Sequence, residues 1–249
     1  MREYFLAAKN SGNQCALFLD GQDREQYLSR LECSDLNLGR GLSEGWFICS
    51  EARELYRSGG SFVVSEVHQR VETAATLAVA SGYSGVSAAV QMSWSRDSKI
   101  DPVILAEHEY GLNSLFERVT KLQGLCLYSR AVFDVQEMAL QCVCHPTVVT
   151  PEQILVNPLS GFDHSSKRAD EIKNYWDHIA NVGGALAHLS GAKASFAKTI
   201  LEKALSSIYI RYVEVSDRES KNDLLRQVEL LTSKIEQLGF REQIGSAQF

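Results

Sequence analysis

Cys15-Ala-Leu-Phe-Leu19 is the stretch on which the fold turns. Its residues are all apolar and lie between Asn13-Gln14 and Asp20-Gly21, without polar alternation, the pattern of a short strand covered on both faces. Three more runs repeat it: Trp46-Phe-Ile-Cys49, Gly85-Val-Ser-Ala-Ala-Val-Gln-Met92 and Gly124-Leu-Cys-Leu-Tyr128. Helical patterns separate them. Leu28, Leu31 and Leu38 continue a helical stretch to Gly39, and Gly59-Gly60 marks a loop. Val67, Val71, Ala74 and Ala78 share one helix face that ends at Gly82. Pro102 opens a helix through Ile104, Leu105, His108, Leu112, Leu115 and Phe116 to Val119. Asp134 is placed to cap a helix with Val135, Met138, Ala139 and Cys142 inward, closed at His145-Pro146 because the residue before proline resists the helical region. Thr147-Val-Val149 and Gln153-Ile-Leu155 read as short strands. Strands alternating with helices predict an α/β domain over 1–160, a mostly parallel sheet with helices on both faces.

From 161 to 249 the period is helical throughout, which predicts an all-helical C-terminal extension. Ile172, Tyr175, Trp176, Ile179, Val182, Leu186 and Leu189 form one stripe; Leu201, Leu205, Ile208, Tyr212 and Val215 form a second. Leu224, Val228, Leu231, Ile235 and Leu238 keep the four-three alternation in a new phase. A continuous rod with a local irregularity is expected, the alternative being a new helix started by a Ser216/Glu219 capping box. The third stripe is predicted to pair with a second copy as the coiled-coil seam of a homodimer, unless it folds back on its own chain.

The chain has 249 residues, 45% of them apolar, enough to bury a core and to exclude disorder. A net charge of -6 supplies no electrostatic footprint for nucleic acid, and no apolar run is long enough to span a bilayer. The apolar stretch Phe5 to Ala8 stops at Lys9, too short for a signal-peptide core, so a soluble cytoplasmic protein with six free thiols is predicted. The turn after the first strand, Asp20-Gly-Gln-Asp-Arg-Glu-Gln-Tyr27, has no lysine and opposes phosphate with carboxylates. Cys142-x-Cys144-His145 has zinc-type ligands at too short a spacing and without a second pair, so packing explains it, and neither metal nor cofactor is predicted. Gln91-Met-Ser-Trp94 and Tyr128-Ser-Arg130 end two strands at the carboxyl edge, where parallel sheets open their ligand crevice. The competing account of Trp94 is a ring that fills the core.

Together, several of these segments resemble one family. Cys15-Ala-Leu-Phe-Leu19, Gly59-Gly-Ser-Phe62, Ala80-Ser-Gly-Tyr83, Gln91-Met-Ser-Trp94, Glu109-Tyr-Gly-Leu-Asn-Ser-Leu-Phe116, Cys126-Leu-Tyr-Ser-Arg130, His145-Pro146 and Asn157-Pro158 occur in the order seen in the methanogen/methylotroph DcmR sensory domain, MEDS. The resemblance covers roughly residues 10–160. It implies a RecA/KaiC-type fold used as a sensory module for small organic compounds. The family's Asp-His before the first strand is Asn13-Gln14 here, its Gly-Glu before Met-Ser-Trp is Val90-Gln91, and the aspartate of its Tyr-Asp-Arg is Ser129. Glu109 and His145 keep their family positions. Loss of titratable groups implies binding without catalysis, or a degenerate site. The reading is a non-catalytic sensory or regulatory protein that takes a small organic ligand or partner protein through Gln14, Gln91, Trp94, Glu109, Tyr128, Arg130 and His145. The alternative is a RecA-type nucleotide switch or ATPase with a non-standard phosphate site.

Overall fold

The computed structural model describes residues 1–21, 24–57, 61–150, 154–157, 169–181 and 186–246, except the side chains of 178–181, 187 and 239–246. By contacts the chain divides into two compact units, Met1–Ile100 with Ser114–Val132, and Asp101–Asn113 with Phe133–Phe249. Gly59, Gly60, Gln153, Pro158 and Val182 lie outside the described residues, as does the side chain of Ile179.

The first unit runs α1 (Arg2–Asn10), β1 (Gln14–Leu19), α2 (Arg24–Leu31), α3 (Leu38–Glu44), β2 (Phe47–Glu51), α4 (Ala52–Tyr56), α5 (Val64–Ala80), β3 (Val86–Gln91) and a short α6 (Trp94–Asp97). Helix α7 (Pro102–Arg118) follows, of which 114–118 belong to this unit, and β4 (Leu122–Leu127) ends the sheet. All four strands are parallel in the order β2-β1-β3-β4. That order reverses direction at β1, so the crossing between β1 and β3 is the switch point of a doubly wound sheet.

Alternation along β1 explains the two covered faces. Cys15, Leu17 and Leu19 join Phe47, Cys49 and Ala89 on one face, beneath Phe5 and Ala8 of α1, Leu31 of α2 and Leu38 of α3. Each such leucine adds about 1.5–3 kcal/mol relative to exposure. Gly124 pairs with Ala88, the neighbour of Ala89, and so faces the other side. There Phe116 lies so close that a Cβ on Gly124 would come within 2.7 Å of its ring. Gly85, just before β3, is as constrained, since a Cβ would meet the Lys121 carbonyl oxygen at 2.2 Å.

Three local expectations are corrected. The stretch from Leu28 to Gly39 is two helices: the chain leaves α2 after Leu31, Asn37 adopts φ 43° and caps the Arg40 N–H at 3.0 Å, and Glu32 accepts the Leu38 N–H at 3.0 Å. On α5 the buried alanines are Ala75 and Ala78, with Ala74 exposed. On α8 Val135 is exposed, since the Asp134/Glu137 capping box turns the first residue outward.

The second unit contains residues 102–113 of α7, then α8 (Val135–Cys144), β5 (Thr147–Val149), β6 (Ile154–Val156), α9 (Ala169–Asn181), a 3-10 turn at Leu186–His188, α10 (Gly191–Glu214) and α11 (Arg218–Ser246). Strands β5 and β6 form their own antiparallel ribbon. One core joins Ala106, Leu140 and Val143 to Ile172, Trp176, Leu201, Ile208 and Leu231. The expected boundary near 160 falls inside this unit. Helices α10 and α11 are separate rather than one rod: Val215 turns extended at ψ 135°, and Asp217 caps the Ser220 N–H at 2.8 Å. The cap thus falls one residue after Ser216, with its charge at the positive end of α11. Leu224, Leu231 and Leu238 are buried, and Val228 and Ile235 partly buried, in the core shared with α9 and α10, so the expected dimer stripe packs within its own chain. Among the described residues, no helix is long and apolar enough to cross a membrane.

Candidate functional site

The carboxyl edge between β1 and β3 brings three polar side chains together. Asp20 follows β1, Gln91 ends β3 and Ser93 lies in the turn beyond it. Gln91 Oε1 accepts the Asp20 N–H at 3.1 Å, and the Ser93 hydroxyl donates to Asp20 Oδ2. Asp20 Oδ1 is buried and, among the described residues, has no hydrogen-bond partner. Burial raises the Asp20 pKa; the Ser93 hydrogen bond and Arg53 oppose this, Asp97 and Glu51 reinforce it, and the net shift is upward. Arg53 is paired with Asp97, while Arg24 donates to the Cys49 carbonyl at 3.0 Å. The result is a fixed carboxyl group with one buried oxygen that has no hydrogen-bond donor among the described residues.

The predicted residues fall in three places. Gln91 and Trp94 are in this edge, but Trp94 is 0% exposed. Its ring stacks on Tyr56 at 4.1 Å between centroids, with Phe62 at 5.3 Å, so it fills the core and does not line an open pocket. Tyr128 and Arg130 follow β4 on the same edge, beside β3, where the Met92 N–H donates to the Leu127 carbonyl at 3.0 Å. Tyr128 is half-buried and Arg130 exposed. Gln14 begins β1 at the opposite edge, where its amide donates to the Gly45 carbonyl at 2.9 Å. Because Gln14 is level with Val86, a strand's length of about 17 Å separates it from Gln91. The structure does not bring those two glutamines to one small site.

Glu109 and His145 belong to the second unit and meet each other. His145 Nε2 lies 3.2 Å from Glu109 Oε2, and Nδ1 lies 2.8 Å from the Gln141 carbonyl oxygen. Burial alone would lower the His145 pKa, but the hydrogen bond and charge of Glu109, helped by the Gln141 carbonyl, outweigh it and raise the value. Oxygen atoms facing both ring nitrogens favour the imidazolium, at the end of α8 where the helix dipole also favours a cation.

The remaining carbonyls at that helix end are closed by side chains. Asn113 donates to Cys144 O at 2.8 Å, and the Tyr175 hydroxyl donates to Cys142 O at 2.6 Å. The Asn157 amide reaches the carbonyls of Cys142, Val143 and His145 at 3.2, 3.2 and 2.9 Å. His145 and Asn157 therefore act at a capped joint. Burial pushes the Cys144 thiol well up, away from nucleophilic use.

Sequence reasoning missed Asp20 and Ser93 as site residues. The available signal was their position, one after the end of β1 and two after the end of β3.

The family model for the MEthanogen/methylotroph, DcmR Sensory domain, MEDS, matches residues 1–146, more than half of the chain. The chain belongs to this family. Searches of curated proteins and of solved structures found no match.

Proposed function

We propose that this member of the MEDS family is a non-catalytic sensory or regulatory protein that binds a small organic ligand at the carboxyl edge of its sheet. The observation that carries the reading is the buried Oδ1 of Asp20, which has no partner among the described residues, on a carboxyl group held in place by Gln91 and Ser93. A ligand with a hydroxyl or amine group supplies the missing donor, and Tyr128 and Arg130 border its approach. The bound state passes to a partner protein or a second copy by protein contact.

The RecA-type nucleotide switch has less support. The turn after β1 brings a carboxylate and no lysine to the place where phosphates would approach. Native mass spectrometry of the purified chain tests the proposal. A small molecule is expected to co-purify, at an occupancy that falls about tenfold or more in Asp20→Ala, the loss of a hydrogen bond to a charged group. Magnesium-dependent ATP binding with turnover would overturn it in favour of the switch.

A further inference from the structure

A cleft of about 320 Å³ opens at the amino-terminal edge of the sheet, the end opposite Asp20, and carries Lys9, Asn13, Arg40, Glu44, Trp46 and Tyr83. Asn13, Trp46 and Tyr83 stand just before β1, β2 and β3, so three chain entries into the sheet build one wall.

Trp46 is held rigidly there. A Cβ on Gly41 would come within 2.7 Å of its ring, which packs edge-on against Phe47 at 6.0 Å between centroids. The Lys9 ammonium sits 4.8 Å from the ring centroid and also donates to the carbonyls of Asp35 and Leu36, which fixes a cation over an aromatic face. Arg40 Nε is 2.7 Å from Glu44 Oε1, an exposed pair of the kind worth about 0–1 kcal/mol, so a competing anion displaces it at small cost. Two cations against one carboxylate make the wall attractive to a single negative charge, while Glu44 opposes a dianion.

We infer that this cleft binds a small aromatic carboxylate. Its carboxylate is held by Lys9 and the planar guanidinium of Arg40, whose fork of N–H donors matches that geometry. Its ring lies against Trp46 and Tyr83. The volume is at the small end of the range for ligand sites, which fits a one-ring acid.

Calorimetric titration of the full chain with benzoate, benzamide and cyclohexanecarboxylate tests this. Tryptophan emission provides a second readout, because Trp46 is half-exposed while Trp94 and Trp176 are 0% and 5% exposed. Benzoate is expected to bind and to shift the emission. Benzamide, lacking the charge, should bind about tenfold or more weakly, and Arg40→Gln should weaken benzoate to a similar degree. Trp46→Phe keeps an aromatic wall and should hold benzoate affinity within about threefold, whereas Trp46→Leu should erase the preference for benzoate over cyclohexanecarboxylate. Thermal melting verifies that each variant is folded. Equal affinity for benzamide and benzoate, an unchanged affinity in folded Arg40→Gln, or no binding of benzoate at about 10 mM would overturn the assignment.

Discussion

Asp20 in the sheet unit and Glu109 in the helical unit are both carboxylates drawn out of water, and their surroundings treat them in opposite ways. Glu109 faces His145 at 3.2 Å, beside a helix end whose carbonyls are closed by Asn113, Asn157 and Tyr175. Asp20 has Ser93 on one oxygen and, among the described residues, nothing on the other. A polar cluster whose valences are filled from within holds the fold together. One left incomplete among the described residues, at a switch point between strands, is where the proposed ligand would add a donor.

The sharpest way to break this contrast is Glu109→Ala, which leaves His145 without its counter-charge and should cost about 3–5 kcal/mol in denaturant unfolding. Its pH dependence has a definite sign. Since the fold raises the His145 pKa, the stabilisation is fully present below the unfolded value of 6.5 and is lost as pH rises through the folded value. The wild type should therefore weaken on going from mildly acid to alkaline solution, and the variant should lack that component. A loss below about 1 kcal/mol would place Glu109 among the dispensable surface-type pairs.

Leu231→Ala should cost about 3 kcal/mol through the cavity it leaves in the helical core, with the subunit count by light scattering unchanged. A fall in mass would restore the stripe to an interface between copies.

Asp20→Asn carries the smallest effect and the opposite sign, a gain of about 1 kcal/mol near neutral pH, because a desolvated charge is removed. With its folded pKa raised, Asp20 favours the fold most below its unfolded value of 3.8 and penalises it as pH rises through the folded value. Melting temperature against pH should lose that decline in the variant. A less stable variant at neutral pH would mean that Oδ1 is already satisfied.

The strands were legible because each is a short, largely apolar run, and the runs at Cys15, Trp46, Gly85 and Gly124 lie within two or three residues of the observed ends, although only the central β1 and β3 are covered on both faces while the edge strands β2 and β4 carry exposed positions. Their order was not, since the apolar pattern is the same whichever neighbour a strand takes. Gln14 and Gln91 looked alike as amides beside strands, yet one stands at an entry and the other at an exit. Trp94 could be read as lining or as core because an aromatic at a strand tip serves both, and only its stacking on Tyr56 decides. The rod was expected because helical spacing runs up to Val215 and resumes at Leu224, and the single Asp217 cap is a weak signal against so much periodicity. The pairing of Glu109 with His145 spans more of the chain than any local pattern can reach.

The core of the second unit also determines where the polypeptide can be cut. Ala106, Ala139, Leu140 and Cys142 lie within the family match, but the side chains that cover them, from Ile172 to Leu238, come from beyond it. A fragment ending at residue 146 would present α8 with its apolar face bare and its Cys142 carbonyl stripped of both Asn157 and Tyr175. In this chain the family match thus ends inside the second unit, and the side chains that cover its last helix are supplied by the residues that follow it.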